Sequence, residues 1–274
     1  MVLTVLSENR SNSPFLGAEH GLSLYLEAGG RRLLFDMGAS GLFWENARKL
    51  GIDLSSVEMA FLSHGHDDHS GGLHTFLQGN AHAPVYLREG CFAPLFSRSG
   101  DGCRPIGPDP ALASSPRLVF TGMQERPAEG LFLFSDLRHR AHWPSTNRNL
   151  LLEEGGSLGP DPFLHEQYLL VQEGGSTLLL SGCAHRGIEN IVARCAEHLG
   201  RAPDAVVSGF HLTSPRSGQA AGEAEVQAVG RALAAFPRTR YYTCHCTGER
   251  PFAQLQGALG GRLFPLHAGQ RLTL

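Results

Sequence analysis

Lysine is almost missing from this chain: of its 23 basic residues all but Lys49 are arginines. A biased source composition explains that best, and with a formal net charge of −3 there is no electrostatic reason to expect nucleic acid or an anionic membrane as partner. No apolar run approaches the ~20 residues needed to span a bilayer. The opening MVLTVLSENRSNS has neither the basic start nor the apolar stretch of a signal peptide. Six cysteines, Cys91, Cys103, Cys183, Cys195, Cys244 and Cys246, lack the dense spacing of a disulfide scaffold. The expectation is a reduced, cytoplasmic protein. Also absent are a phosphate loop, a dinucleotide fingerprint and a serine nucleophile elbow. The C-x-C at 244–246 has no partner pair for a structural zinc knuckle.

What is present is a 274-residue chain with 42 % hydrophobic and 18 % charged residues, proportions that suit a folded globular protein. GLSLYLEA (21–28) alternates with period two, GG turns the chain, and RRLLFDMG (31–38) returns as a second strand ending at Asp36. GLFWENARKLGI (41–52) has helical apolar spacing, and VEMAFLS (57–63) reads as a short buried strand. From about 97 to 165 prolines, glycines and polar residues dominate, which predicts a loop-rich insertion within one domain spanning 1–274. Regularity returns with a hairpin over 167–185 turned at Gly174-Gly175, a helix over 186–199, a strand over 203–211, a helix over 222–236 and a strand over 238–246. A last helix and strand follow. This patterning fits two packed sheets with helices outside, and also a doubly wound sheet.

The chemistry concentrates in AFLSHGHDDHSGG (60–72), where three histidines and two aspartates occupy six positions behind a buried strand. At an extended strand end, positions two apart share a face, so His64 and His66 can bind one cation. Gly65 between them tolerates a bend and close approach. Once the chain turns, Asp68 and His69 are near enough for a second cation. Imidazoles with a carboxylate favour zinc and also accept iron, manganese or nickel. The competing reading is a polar surface turn, which the scarcity of histidine and the preceding buried strand disfavour.

The stretch LSHGHDDHSGGL resembles the HxHxDH signature of the metallo-β-lactamase superfamily. AEHGLSLYLEAGGRRLLFDMGAS, LLLSGCAHRGIENIV, VVSGFHL and YTCHCTG occur in the order of one branch, similar to the dihydropteroate-synthase-like metallohydrolases. That branch includes archaeal dihydropterin ribofuranosyl-aminobenzene phosphate synthases. The resemblance runs from about residue 18 to the C-terminus and is weakest over 97–165. It implies a four-layer αβ/βα sandwich, an α/β fold whose strand-end loops converge at one edge. It implies that Asp36 orients the histidine loop without touching metal, that His64 and His66 serve one ion, and that Asp68 and His69 serve the other. Asp67 falls at the variable, non-ligating position. Cys183 stands where the superfamily places a bridging aspartate, and is either a thiolate ligand or a small buried residue. His185 follows two positions on as a ligand, and His245 matches the last ligand of the superfamily. Cys244 and Cys246 flank it as buried small residues. His165 is a possible ligand at a position where the branch implies an acid. His211, with Asp68, is a candidate for catalysis, and His20 is a supporting candidate. His139 and His142 suggest a surface loop or a pocket wall, and Arg98, Arg104, Arg138, Arg140 and Arg148 suggest either an anion grip or ordinary solvated charge.

The expectation from these residues is a hydrolase that activates water with one or two zinc ions, acting on a small anionic molecule. Manganese, iron or nickel are alternatives to zinc. A transferase of the synthase type and a non-catalytic ligand-binding protein of the same fold are the competing functions.

Overall fold

Seven strands that alternate or run apolar build each of two large sheets, and a third sheet of four strands lies beside them. A computed structural model describes residues 1–100, 102–137, 143–214 and 217–274. The first sheet runs Arg271–Thr273, Val2–Ser7, Ser23–Ala28, Arg31–Phe35, Met59–Phe61, Val85–Arg88, Leu118–Thr121. It is antiparallel as far as Arg31–Phe35 and parallel beyond. The second runs Leu263–Pro265, Arg240–Thr243, Ala205–Ser208, Ser176–Leu180, Tyr168–Glu173, Leu131–Phe134, Gln124–Glu125. Its first four strands are parallel and the rest antiparallel.

Period-two alternation explains how the sheets stack. Leu24, Leu26 and Phe35 of the first sheet meet Leu133, Leu169, Leu178 and Leu180 of the second in one buried cluster. The opposite faces are covered by helices. Leu34, Ala60 and Val85 pack under Phe43 and Ala47 of helix Leu42–Lys49 and Phe76 of helix Leu73–Gly79. Leu179, Val206 and Tyr241 pack under helices Ile188–Leu199, Glu223–Ala234 and Glu249–Leu259. The order is helix, sheet, sheet, helix, the αβ/βα sandwich. A doubly wound single sheet is thereby excluded. Among the described residues no helix is long and apolar enough to cross a membrane.

The span 97–165 holds more regular structure than its proline and glycine content predicts. Leu118–Thr121 and Leu131–Phe134 are strands of the two large sheets, and Leu131–Phe134 is buried along its whole length. Ser157–Pro160, Leu150–Glu154, Leu95–Ser99 and Gly102–Pro105 form the third sheet, in that order. Short strands with exposed alternate residues look like loop in a composition reading. Val2–Ser7 is a further strand of the first sheet, beyond those that the period-two segments predict.

If Leu131–Phe134 is core, Leu133→Ala costs about 2–5 kcal/mol, whereas Val119→Ala, at a half-exposed edge position, costs less than ~1 kcal/mol. Urea denaturation midpoints of the two variants check this.

Candidate metal centre

The parallel strand Met59–Phe61 ends in Leu62-Ser63 and delivers the histidines at its carboxyl end, where such strands expose ligand sites. His66 then caps a short helix, Asp67–Ser70, which brings Asp68 and His69 round beside His64, the His64 and His69 rings lying 4.2 Å apart. Gly65 is required here: a Cβ on it would lie 2.3 Å from the carbonyl oxygen of Cys91. Gly182, before Cys183, has the same constraint, its Cβ position being 2.2 Å from Ser63 Oγ. Asp36 follows the strand Arg31–Phe35 in the left-handed region (φ 59°). Its carboxylate accepts the Ser63 N–H (2.7 Å), the Ser63 hydroxyl (2.7 Å) and His69 Nδ1 (2.6 Å). These contacts tie Asp36 to the histidine loop through Ser63 and His69.

Four rings have their outer nitrogens tied to groups whose hydrogen bonds fix the tautomer. His69 Nδ1 faces the acceptor-only Asp36 carboxylate. Ser63 Oγ gives its proton to Asp36, so at 2.8 Å it accepts from His64 Nδ1. Asn147 donates its Nδ2 to the His185 carbonyl (2.7 Å), which turns its Oδ1 toward His185 Nδ1 (3.0 Å). Asn9 holds His245 the same way, with Nδ2 on the carbonyl (3.0 Å) and Oδ1 on Nδ1 (3.0 Å). In the neutral rings of His64, His185 and His245 Nε2 is then a bare lone pair. These converge: His64 Nε2 lies 3.3 Å from His185 Nε2, His69 Nε2 3.1 Å from Cys183 Sγ, and His245 Nε2 3.0 Å from Asp68 Oδ2. His66 Nε2 is buried with no hydrogen-bond partner among the described residues. Between His64 and His185, and between His245 and Asp68, lone pairs facing one another without a proton repel, and a cation among them removes the conflict.

The donors group accordingly. Asp68, His69, Cys183 and His245 have ligand atoms within 4.8 Å of one another, as do His64, Cys183 and His185, and also His64, His66 and Asp68. Cys183 belongs to the first two groups, between them. These residues suit a divalent ion: imidazole, carboxylate and thiolate donors, with outer nitrogens held by acceptors.

Burial, then the neighbouring imidazoles, holds His64 and His185 well below the ordinary histidine value, so both stay neutral and able to ligate. Burial pushes the Cys183 thiol up. Burial opposes ionisation of Asp68, yet His69, His20 and His245 keep it well below the usual carboxylate range. His69 is opposite: against the burial cost, Asp36 and Asp68 lift it to about 9.

The remaining candidates lie around this cluster. His20 stacks on His245 at 4.2 Å and puts Nε2 3.1 Å from Asp68 Oδ2. His165 has both ring nitrogens engaged, accepting the Gly65 N–H (3.1 Å) and meeting Asp161 Oδ2 (3.0 Å), so it props the histidine loop. His211 lies edge-on to His185, 4.1 Å between centroids. Asp67 turns outward to Arg104 (2.7 Å). His139, His142, Arg138 and Arg140 lie outside the described residues. Arg98 and Arg148 are exposed. A cavity of about 490 Å³ opens onto the cluster, lined among others by His66, Asp68, Cys183, His211 and Arg104.

Several residues of the site escaped sequence reading. Asn9 and Asn147 carry no motif. Asp161 lies 3.8 Å from His66 Nε2. Glu166, buried, accepts the backbone N–H groups of His185 (2.8 Å) and Arg186 (3.1 Å) and the Tyr168 hydroxyl (2.6 Å), clamping the ligand turn. It is the acid adjoining His165, one residue beyond where the branch implies one.

An αβ/βα sandwich with a histidine cluster at one sheet edge is the fold of metal-dependent hydrolases. The profile of the metallo-beta-lactamase superfamily matches residues 16–245, and the chain belongs to that superfamily. Among curated proteins it is 26% identical to a 7,8-dihydropterin-6-methyl-4-(beta-D-ribofuranosyl)-aminobenzene-5'-phosphate synthase of Methanocaldococcus jannaschii, over 94% of this chain and 91% of the relative. Among solved structures it resembles Tm1679, described as a metal-dependent hydrolase of the beta-lactamase superfamily, with 30% identity, a TM-score of 0.85, and 100% and 99% of the two chains covered. Zn(2+)-bound PqqB from Methylobacterium extorquens, 15% identical with a TM-score of 0.62 over the whole of both chains, shares the fold.

The shifted histidines set opposite pH limits on the metal-free protein. His69, raised from 6.5 to about 9, stabilises the fold fully below pH 6.5 and loses that contribution as pH rises through about 9. His64 and His185, lowered, cost stability as pH falls below 6.5. Denaturation midpoints after chelation should therefore peak near pH 6.5 and decline on both sides. Asp36→Asn flattens the alkaline decline.

Proposed function

We propose that this protein is a metal-dependent hydrolase of a small anionic substrate, working with one or two divalent cations. The observation that carries this reading is the 3.3 Å approach of His64 Nε2 to His185 Nε2, each ring's other nitrogen being held by Ser63 or Asn147. Burial disfavours protonating either ring, so a metal ion is the better occupant. His64, His66 and His185 would hold one ion, Asp68, His69 and His245 the other, with Cys183 between. Mixed imidazole, carboxylate and thiolate donors suit zinc first; manganese, iron or nickel suit the imidazole–carboxylate part. Such an ion supplies Lewis acidity at the scissile group and brings water to its nucleophilic form near neutral pH.

The chain's own groups do the rest. Asp68, kept ionised, sets Oδ2 3.1 Å from His20 Nε2 and 3.0 Å from His245 Nε2, and all three line the cavity. Glu166, Asn147 and Asn9 fix the backbone of His185 and His245, so the centre needs little reorganisation on binding. His211 lines the cavity with neither ring nitrogen committed among the described residues, available for proton transfer or for ligation. The cavity volume of about 490 Å³ suits a small molecule. Anionic character is supported by the cationic centre, by Arg104 in the wall, and by the 5'-phosphate in the archaeal relative's name.

That relative, matched over 94% of this chain, favours a second reading, a synthase acting on a pterin and a ribosyl-aminobenzene phosphate. Release of phosphate or pyrophosphate only when a pterin acceptor is present would select it over hydrolysis.

In the hydrolase reading His66→Ala lowers metal content by about one equivalent or more per chain and lowers turnover by at least ~10³-fold. Elemental analysis and a phosphoester and lactone screen check this. A wild-type protein that retains no metal after reconstitution would overturn the reading and leave a ligand-binding protein of the same fold.

A further inference from the structure

Beside the imidazole cluster stand three donors that the proposed centre leaves unused or half used. Cys183, His211 and Cys246 have ligand atoms within 4.8 Å of one another and line the same cavity. All three are at least 96 % buried, at 2 %, 4 % and 1 % exposure. His211 is the odd member of the site's histidines: neither Nδ1 nor Nε2 has a hydrogen-bond partner among the described residues. A buried histidine with both nitrogens uncommitted among the described residues lacks the satisfaction that His64, His69, His185 and His245 each find. His211 and Cys246 are held by framework. Cys246 Sγ accepts the backbone N–H of His211 at 3.3 Å, a contact that favours a thiolate. The Phe210 N–H donates to Thr247 Oγ1 (2.9 Å), the Thr213 N–H to the Cys246 carbonyl (3.0 Å), and Thr146 Oγ1 to the His211 carbonyl. His211 and His245 sit in the left-handed region, at φ 45° and 57°. Gly209 completes the cradle, because a Cβ there would be 2.6 Å from Cys246 Sγ.

We propose that Cys183, His211 and Cys246 form an additional cation position, built from one imidazole and two thiolates and open on its fourth side to the cavity. Zinc bonded at about 2.3 Å to sulfur and about 2.0–2.1 Å to nitrogen in a tetrahedron brings its donors to roughly 3.4–3.8 Å from one another. Side-chain adjustments of about an ångström or less reach that from the observed spacing. Two thiolates neutralise a divalent ion, which suits a site from which water is largely excluded. Soft or borderline cations, zinc or copper(I), are the class it takes. The position rests on its own three donors and not on the hydrolase reading, although Cys183 would serve both.

The test loads full-length wild type, Cys246→Ser, His211→Ala and His66→Ala with zinc or cobalt(II), removes free metal, and reads metal per chain and thiolate-to-cobalt charge-transfer absorbance. Cys246→Ser and His211→Ala are each expected to hold about one equivalent less than wild type, with the charge-transfer absorbance of Cys246→Ser falling to about half. Wild-type metal content and spectrum in both variants would overturn the proposal. Loss of metal in His66→Ala alone overturns it while leaving the hydrolase reading intact. Loss in Cys246→Ser and His211→Ala alone overturns the hydrolase reading and supports this one. Should Cys246→Ser fail to fold, alkylation of Cys246 in the wild-type protein decides: zinc is expected to slow it by about tenfold or more, and an unchanged rate overturns the proposal.

Discussion

A carboxylate taken wholly out of water needs donors for both oxygens, and Asp36 finds them on the loop it organises. Its Oδ1 takes the Ser63 N–H, and its Oδ2 takes the Ser63 hydroxyl and the His69 ring. The same Ser63 oxygen then orients His64. One side chain at a strand end thus sets the tautomers of His64 and His69, the angle at which the histidine loop leaves its strand, and the direction of two lone pairs. The left-handed backbone of Asp36 is part of this arrangement, since it turns the carboxylate back under the following strand.

The second sheet solves the same problem with neutral amides. Asn147 and Asn9 each straddle a ligand-bearing residue, donating to its carbonyl and accepting from its ring. An amide cannot lose or gain a proton in this range, so these rings are held without a compensating charge. Where the superfamily resemblance leads one to look for a bridging aspartate, Cys183 brings a polarizable sulfur within 3.1 Å of His69. In the proposed centre, sulfur in place of oxygen would shift the preference toward borderline and soft ions.

How much of this could be read from the sequence depends on whether a residue acts through its own segment. The hairpin around Gly29-Gly30, the strand before His64 and the helices after residue 186 follow from local period, and the first strand of that hairpin needed no tertiary information. His64, His66, Asp68 and His69 stood out because one loop carries them all. Asn9, Asn147 and Glu166 did not, because each acts on a partner 19 to 236 residues away. The strand Leu131–Phe134 was lost among prolines and glycines although its four apolar residues are core. The breakers flanking it are turns between real strands, and composition averages over both.

The strand Val2–Ser7 pairs with Arg271–Thr273, and Asn9 just beyond it holds His245. The first strand therefore leads directly to Asn9, which lines the cavity beside His245. During synthesis the histidine loop leaves the ribosome 181 residues before His245, which at about 5–20 residues per second is an interval of roughly ten seconds or more. Through that interval His64, His66, Asp68 and His69 stand without the His245 and Cys246 side of the cavity. The donors of the two sheets come together around the cavity only once the second sheet has been made.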